Sequence, residues 1–241
     1  HGAKYKECYV GTIGDIGVFS LNVNKTIQAG EGGVCITNDD DLAYRLQLIR
    51  NHGEAVVGAA GYKNITNIVG FNYRLTELQA AIAREQIKKL PALNRFRVEL
   101  VETLCAGIKD IDFLNPIKER INSESTFYVF PLRFSPDKAG VSRDDFVKAV
   151  NAEGIMFYQG YVKPLYYQPL YQQKCLFKNG YPFTAQENSM SNLDYSEGIC
   201  PNAEKLYFSE MVINEHIRLP NTVKDINDII IAIEKVSSDE R

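Results

Sequence analysis

Lys25 stands in Phe19-Ser20-Leu21-Asn22-Val23-Asn24-Lys25, between an apolar run and the glycine-rich stretch Gly30-Glu31-Gly32-Gly33. A lysine in that setting can have its amine held out of bulk water, which favours the neutral nucleophile needed for a Schiff base. One lysine is weak evidence alone, because nearly all of the 27 lysines and arginines are expected to be solvated surface charges. Its neighbours must decide. Ser20, five residues earlier, either donates its hydroxyl to a phosphate or satisfies local backbone. Asn72 and Arg74 precede a helix start, where an amide and a guanidinium make a good anion site, although Arg74 serves equally well in a surface ion pair. His52, in Asn51-His52-Gly53, suits acid–base work or a loop-backbone contact, and no Ser/His/Asp order surrounds it. Glycines 30, 32 and 33 suit a tight turn with positive φ. They lack the Gly-Lys-Ser/Thr ending of a nucleotide P-loop, so ATP binding is rejected there.

The elements that must position these residues are readable in outline. Ile16–Ser20 and Gly33–Thr37 are short β-prone runs, which places Lys25 on a connection between two strands. Asn38 and Asp39 look like caps for a helix from Asp40 to Arg50, with Leu42, Leu46 and Ile49 on its buried face. Residues 51–72 are rich in Gly and Asn and read as a long irregular loop, a kind that is often functional. Thr76 and Gln79 form a capping box that opens a helix, which Pro91 should end or kink. A second helical stripe follows, with Leu93, Phe96, Leu100 and Leu104. Strands are expected over Thr126–Phe134 and Ile155–Tyr158, a helix capped by Ser142 to about Glu153, and a last helix over Val223–Val236 that buries Ile226, Ile229, Ile230 and Ile233. The Tyr- and Pro-rich stretch Tyr158–Tyr171 reads as a surface loop with packed rings, or as a wall for stacking a sugar or base.

Composition narrows the class. With 45% hydrophobic and 24% charged residues in 241, the chain can bury a sizeable core as an ordinary globular protein. A net charge of −3 gives no basic field for nucleic acid or anionic lipid. Five cysteines without a CxxC pair and only three histidines fit reduced thiols better than a disulfide framework or metal cage. No apolar stretch approaches the roughly 20 residues that span a bilayer, and a cytoplasmic protein is expected.

Taken together, Gly14-Asp15-Ile16-Gly17-Val18-Phe19-Ser20, Lys25, Gly30-Glu31-Gly32-Gly33, Thr37-Asn38-Asp39, Arg50-Asn51-His52-Gly53 and Gly70-Phe71-Asn72-Tyr73-Arg74-Leu75-Thr76-Glu77-Leu78-Gln79-Ala80 closely resemble the DegT/StrS-type nucleotide-sugar aminotransferases. The match is specific over residues 1 to about 105 and thinner beyond, where Lys163-Pro164-Leu165-Tyr166 and Arg218-Leu219-Pro220 carry it. The resemblance implies an α/β protein of the pyridoxal 5′-phosphate fold type I (aspartate aminotransferase-like). Residues 1–105 would be the C-terminal part of a large cofactor-binding domain with a linking helix, and residues 106–241 a small α+β domain. It implies that Lys25 forms the Schiff base with the cofactor and then shuttles protons. Ser20 would hold the cofactor phosphate and Asn72 would reach the phosphate of a neighbouring subunit, so that the active site belongs to a homodimer. Arg74 and His52 would extend the substrate site, and no metal is implied. The amino donor would be glutamate and the acceptor a nucleotide-linked keto sugar, in amino-sugar or surface-polysaccharide synthesis.

A relative that dehydrates sugars on this fold places histidine at the Schiff-base position, and Lys25 argues against that chemistry. Asn22-Val23-Asn24 departs from the aromatic, Pro and Thr/Ser usual in the family. The chain opens on His1-Gly2-Ala3-Lys4 as if mid-fold, so about the first third of the enzyme is expected upstream. The competing expectation is a catalytically inactive fragment or cofactor-binding remnant that serves assembly.

Overall fold

A computed structural model describes residues 1–53, 68–187 and 194–239. In chain order its strands are β1 (Lys4–Tyr5), β2 (Cys8–Tyr9), β3 (Gly17–Ser20), β4 (Gly33–Ile36), β5 (Leu114–Pro116), β6 (Ser123–Glu124), β7 (Phe130–Phe134), β8 (Tyr158–Gln159) and β9 (Met211–Asn214). The longer helices are α1 (Asp40–Arg50), α2 (Glu77–Gly107), α3 (Arg143–Ala152) and α4 (Val223–Asp239). The chain divides into two compact units, His1–Val98 with Glu119–Tyr128, and Glu99–Lys118 with Val129–Arg241. The sequence suggests a single boundary near residue 105. In the structure the segment Glu119–Tyr128 instead joins the first unit.

In the first unit β1 pairs antiparallel with β2 and with β6, and Lys4 forms an ion pair with Glu124 at 3.2 Å across the β1–β6 ladder. Strands β3 and β4 pair antiparallel, with Ser20 opposite Gly33, so the intervening residues form a closed loop. Helix α1 begins where the Asp39 side chain accepts a hydrogen bond from the Leu42 amide, and Asp40 and Asp41 complement the helix dipole in its first turn. Its fully buried residue is Leu48, while Leu42, Leu46 and Ile49 are half-buried. The stripe of Leu42, Leu46 and Ile49 therefore flanks the buried contact instead of making it.

The capping box forms as expected, with the Gln79 amide donating to Thr76 Oγ1 and the Thr76 amide donating to Gln79 Oε1, each at 3.3 Å. Pro91, however, does not end the helix. α2 continues through it to Gly107 and replaces the two helices that the sequence suggests. Proline removes its own backbone donor and crowds the carbonyl four residues back, a local cost. The turns beyond it are held by burial of Leu100, Val101, Leu104 and Ile108.

The second unit carries the four-stranded antiparallel sheet β5-β7-β9-β8. Along β7 the residues Phe130, Leu132 and Phe134 are buried in strict alternation, so one face of the sheet meets the core. The expected strand is shorter at its start, because Phe127 has φ of 46°, outside the extended region. The other short strand is shifted to Tyr158–Gln159. Helix α3 is capped by Ser142 and contacts β8, β9 and α4. Phe146, Val147 and Val150 of α3 are buried, as are Ile226, Ile229 and Ile233 of α4, with Ile230 at the margin. In the tyrosine-rich stretch, Tyr167 packs edge-on against Phe208, as a surface loop with packed rings would.

Glu210, immediately before β9, is buried, and Arg133 Nε and Lys205 Nζ approach its carboxylate at 2.9 and 2.7 Å. Burial pushes the Glu210 carboxyl upward, but the hydrogen bonds from Lys205 and Arg133 outweigh it and hold the group below its ordinary value of 4.5. A carboxyl depressed in the folded state stabilises above its unfolded value, and that contribution is lost as pH falls through the folded value. Thermal unfolding of Glu210→Gln should therefore show a lower midpoint than the parent at pH 7. The two midpoints should converge as the pH is lowered below about 4. A constant gap down to pH 3 would rule out this coupling.

Candidate active site

Lys25 lies on the loop between β3 and β4, and this loop is built almost entirely from its own hydrogen bonds. The Leu21 amide donates to Gly32 O, the Ala29 amide to Leu21 O and the Lys25 amide to Asn22 O, at 2.9 to 3.0 Å. Asn22 organises the turn: its Oδ1 accepts from the Asn24 amide at 3.1 Å and its Nδ2 donates to Glu31 Oε1 at 2.7 Å. Leu21, Ile27 and Ala29 are buried and pin the loop to the unit. Gly30 and Gly32 have φ of 82° and 141°. At Gly32 the positive φ favours glycine, and a Cβ would also press on the tip of Leu75 at 2.8 Å. Glu31 thus takes a structural part in the site, fastening Asn22.

The lysine amine is half-buried. Its Nζ donates to the Tyr128 hydroxyl at 3.2 Å and lies 4.3 Å from the centroid of the same ring. One residue on, Thr26 Oγ1 accepts from Arg97 Nη1 at 2.8 Å, and Arg97 is only 5% exposed, which anchors the backbone that carries the amine. Neither Tyr128 nor Arg97 stands out in the sequence. Arg97 falls at a helical position flanked by apolar residues, a signal that could have flagged a buried cation. Tyr128 lies 103 residues from Lys25 and carries no local motif.

Ser20 ends β3, and its Oγ accepts from the Asn22 amide at 3.3 Å. Asn22 therefore joins Ser20 and Lys25 on either side of one turn. The other candidates gather elsewhere in the same unit. Asn51 and Asn72 form an antiparallel bridge, the His52 amide donates to Phe71 O, and Arg74 Nη1 donates to Asn51 Oδ1 at 2.7 Å. The two ends of the 51–72 segment are zipped together in this way, and its residues 54–67 lie outside the described part. His52 is exposed, with φ of 63°. This second cluster approaches the lysine loop through Leu75, which meets Gly32, and through Gln79 Nε2, which donates to Glu31 O at 3.0 Å.

Residues 1–192 match the model of the DegT/DnrJ/EryC1/StrS aminotransferase family. The chain belongs to that family. Its members are pyridoxal 5′-phosphate enzymes. Among curated relatives, a putative L-glutamine:3-amino-2,3-dideoxy-scyllo-inosose aminotransferase of Streptomyces kanamyceticus is 30% identical over 100% of this chain and 57% of its own length. A UDP-4-amino-4,6-dideoxy-N-acetyl-beta-L-altrosamine transaminase of Helicobacter pylori is 30% identical over 71% of this chain and 45% of its own. Among solved structures, Helicobacter pylori PseC, an aminotransferase involved in the biosynthesis of pseudoaminic acid, superposes with a TM-score of 0.74 at 26% identity, covering 99% of this chain and 57% of that one. The fold of this DegT/DnrJ/EryC1/StrS member is accordingly α/β, of the pyridoxal-phosphate type I class. It spans 45% to 57% of the length of these relatives. Among the described residues no group of His, Cys, Asp and Glu could hold a metal, and no helix is long and apolar enough to cross a membrane.

Proposed function

We propose that the complete protein is a pyridoxal-phosphate aminotransferase that moves an amino group, from glutamate, to the keto group of a nucleotide-linked sugar in amino-sugar synthesis. The observation that carries this reading is the half-buried Lys25 amine, presented by a loop whose shape is set before any ligand arrives. The residues present fit the cofactor. A lysine amine and a serine hydroxyl flank one turn, and among the described residues no protein acceptor takes the Ser20 hydroxyl proton, which leaves it for a phosphate oxygen. When bound, the cofactor supplies the electron sink that makes the substrate C–H bond acidic.

This chain's own residues do the rest. The Lys25 amine would take the proton from the amine-bearing carbon of the donor and give it up at C4′ of the cofactor, a general base and then a general acid at one nitrogen. Ser20 fixes the phosphate end, so the reacting atoms stay within reach of that nitrogen. Asn72 of a neighbouring subunit, supported by Arg74, would close the site across a homodimer, and His52 lies beside them for the substrate. A cytoplasmic setting suits both nucleotide sugar and glutamate.

The relatives' names include both a nucleotide sugar and an inosose, and glutamine appears as a donor. The discriminating experiment therefore offers the full-length protein glutamate or glutamine against a panel of nucleotide keto sugars and free keto cyclitols, with products read by mass spectrometry. Amination of a nucleotide sugar with parallel-line kinetics supports the proposal. Amination of cyclitols alone moves the acceptor class, and a colourless, inert protein would favour an assembly role.

A further inference from the structure

Tyr128 meets the lysine amine in two ways at once, through its hydroxyl at 3.2 Å and through its ring face at 4.3 Å. The segment that delivers it is strained. Phe127, immediately before it, has φ of 46°, a left-handed conformation that costs a phenylalanine free energy and persists only where surroundings impose it. Those surroundings are explicit. The Phe127 amide donates to Ser125 Oγ at 3.2 Å, and the Ser125 amide to Glu119 Oε1 at 2.7 Å. Pairing of β6 with β1, the Lys4–Glu124 ion pair and the Lys6 amide on Asn122 O hold the whole segment in the first unit. A chain that must leave the second unit, adopt an unfavourable φ and return has a structural reason to place one particular side chain.

We infer that Tyr128 is the positioning residue for Lys25, holding its amine at one place whenever that nitrogen is not covalently engaged. This deepens the aminotransferase reading and rests on it. A phenol is suited to the task because it both accepts and donates. It accepts from the protonated amine and donates to the neutral one, so a single group serves the lysine before and after each proton transfer. A carboxylate or a carbonyl could only accept, and could not donate to the lone pair of the neutral amine. Arg97, bonded to Thr26, secures the backbone beneath, and Tyr128 secures the tip.

The test uses the full-length protein with Tyr128→Phe, which keeps the ring and removes the hydroxyl, and Phe127→Gly, which keeps the hydroxyl and relaxes the backbone that aims it. In the cofactor-free form, capture of pyridoxal 5′-phosphate by Lys25, in which the amine displaces the aldehyde oxygen as water, is followed by absorbance and located by borohydride trapping. We expect Tyr128→Phe to slow capture about tenfold, with Lys25 still the labelled residue, because a nitrogen that wanders loses its orientation advantage. Single turnovers of both half-reactions should slow by a similar factor with the donor KM unchanged, and Phe127→Gly should slow capture to a smaller extent.

Acetic anhydride, a reagent that needs no positioning, should label Lys25 several-fold faster in Tyr128→Phe than in the parent, because the amine is freed. Opposite changes toward the two reagents are not expected of a merely structural residue. Parent-like rates of capture and of acetylation in Tyr128→Phe would overturn the inference. If the parent itself captures no cofactor at Lys25, the aminotransferase reading falls, while the acetylation rates still decide whether Tyr128 holds the amine.

Discussion

Lys25→Ala should leave the full-length protein folded but without a borohydride-reducible link to its cofactor, with transamination reduced by about four orders of magnitude, as expected when a general acid–base group is lost. The expected size follows from the site. Lys25 offers the one nucleophilic nitrogen on the loop, and neither Ser20 nor Tyr128 substitutes for it as a proton carrier at neutral pH. Stability should change little, since the loop is held by backbone hydrogen bonds and by Leu21, Ile27 and Ala29, none of which involves the amine. Lys25→Arg should fail almost as completely, because a guanidinium stays protonated and cannot act as a nucleophile. The measurement is single-turnover transfer with peptide mapping after borohydride reduction. Retained transfer in Lys25→Ala, or borohydride label on another lysine of the parent, would move the catalytic centre elsewhere.

The second large effect is on stability. Phe134 is fully buried at the end of β7, packs edge-on against Phe113 at 5.6 Å and stacks on Phe146 at 5.1 Å. Its neighbours come from β7's flank and from α3, so the ring ties sheet to helix in the second unit. Phe134→Ala should cost about 3–5 kcal/mol, the usual range for emptying an aromatic site that cannot collapse. Against a typical total of about 5–15 kcal/mol, that is a large share. Phe134→Leu, which restores most of the volume, should cost less than half as much. Urea unfolding followed by circular dichroism reads both, and a Phe134→Ala midpoint equal to the parent's would show that the three rings do not hold the unit together.

How much of this could be read from the chain depended on how local the cause was. The caps of α1, α2 and α3 were legible because each rests on one side chain and an amide three residues away, as with Asp39 and Leu42. The bend after Lys25 is legible for the same reason, since Gly30 and Gly32 act within a few residues, whereas the turn that Asn22 organises is visible only in the structure. At Pro91 the sequence suggests an end or a kink, yet α2 continues, because burial of Leu100 and Leu104 further along outweighs the missing donor and the local crowding. The start of β7 is not legible, because Phe127 is held by Ser125 and Glu119 in a conformation its own side chain disfavours. Within the candidate site, Ser20 and Lys25 were found together, and the structure zips His52, Asn72 and Arg74 into one cluster. Tyr128 was missed because nothing near it in sequence marks it, and it matters only through a contact across more than a hundred residues.

That contact has a consequence for how the protein is made. As the chain leaves the ribosome, the lysine loop is complete long before residue 128 appears, so for much of synthesis a reactive amine stands without the phenol that later receives it. A product terminated after α2 would keep the signature residues of the family while lacking the return segment from Glu119 to Tyr128. Such a truncation would still carry Lys25 and its glycine bend, yet hold its amine no better than any surface lysine.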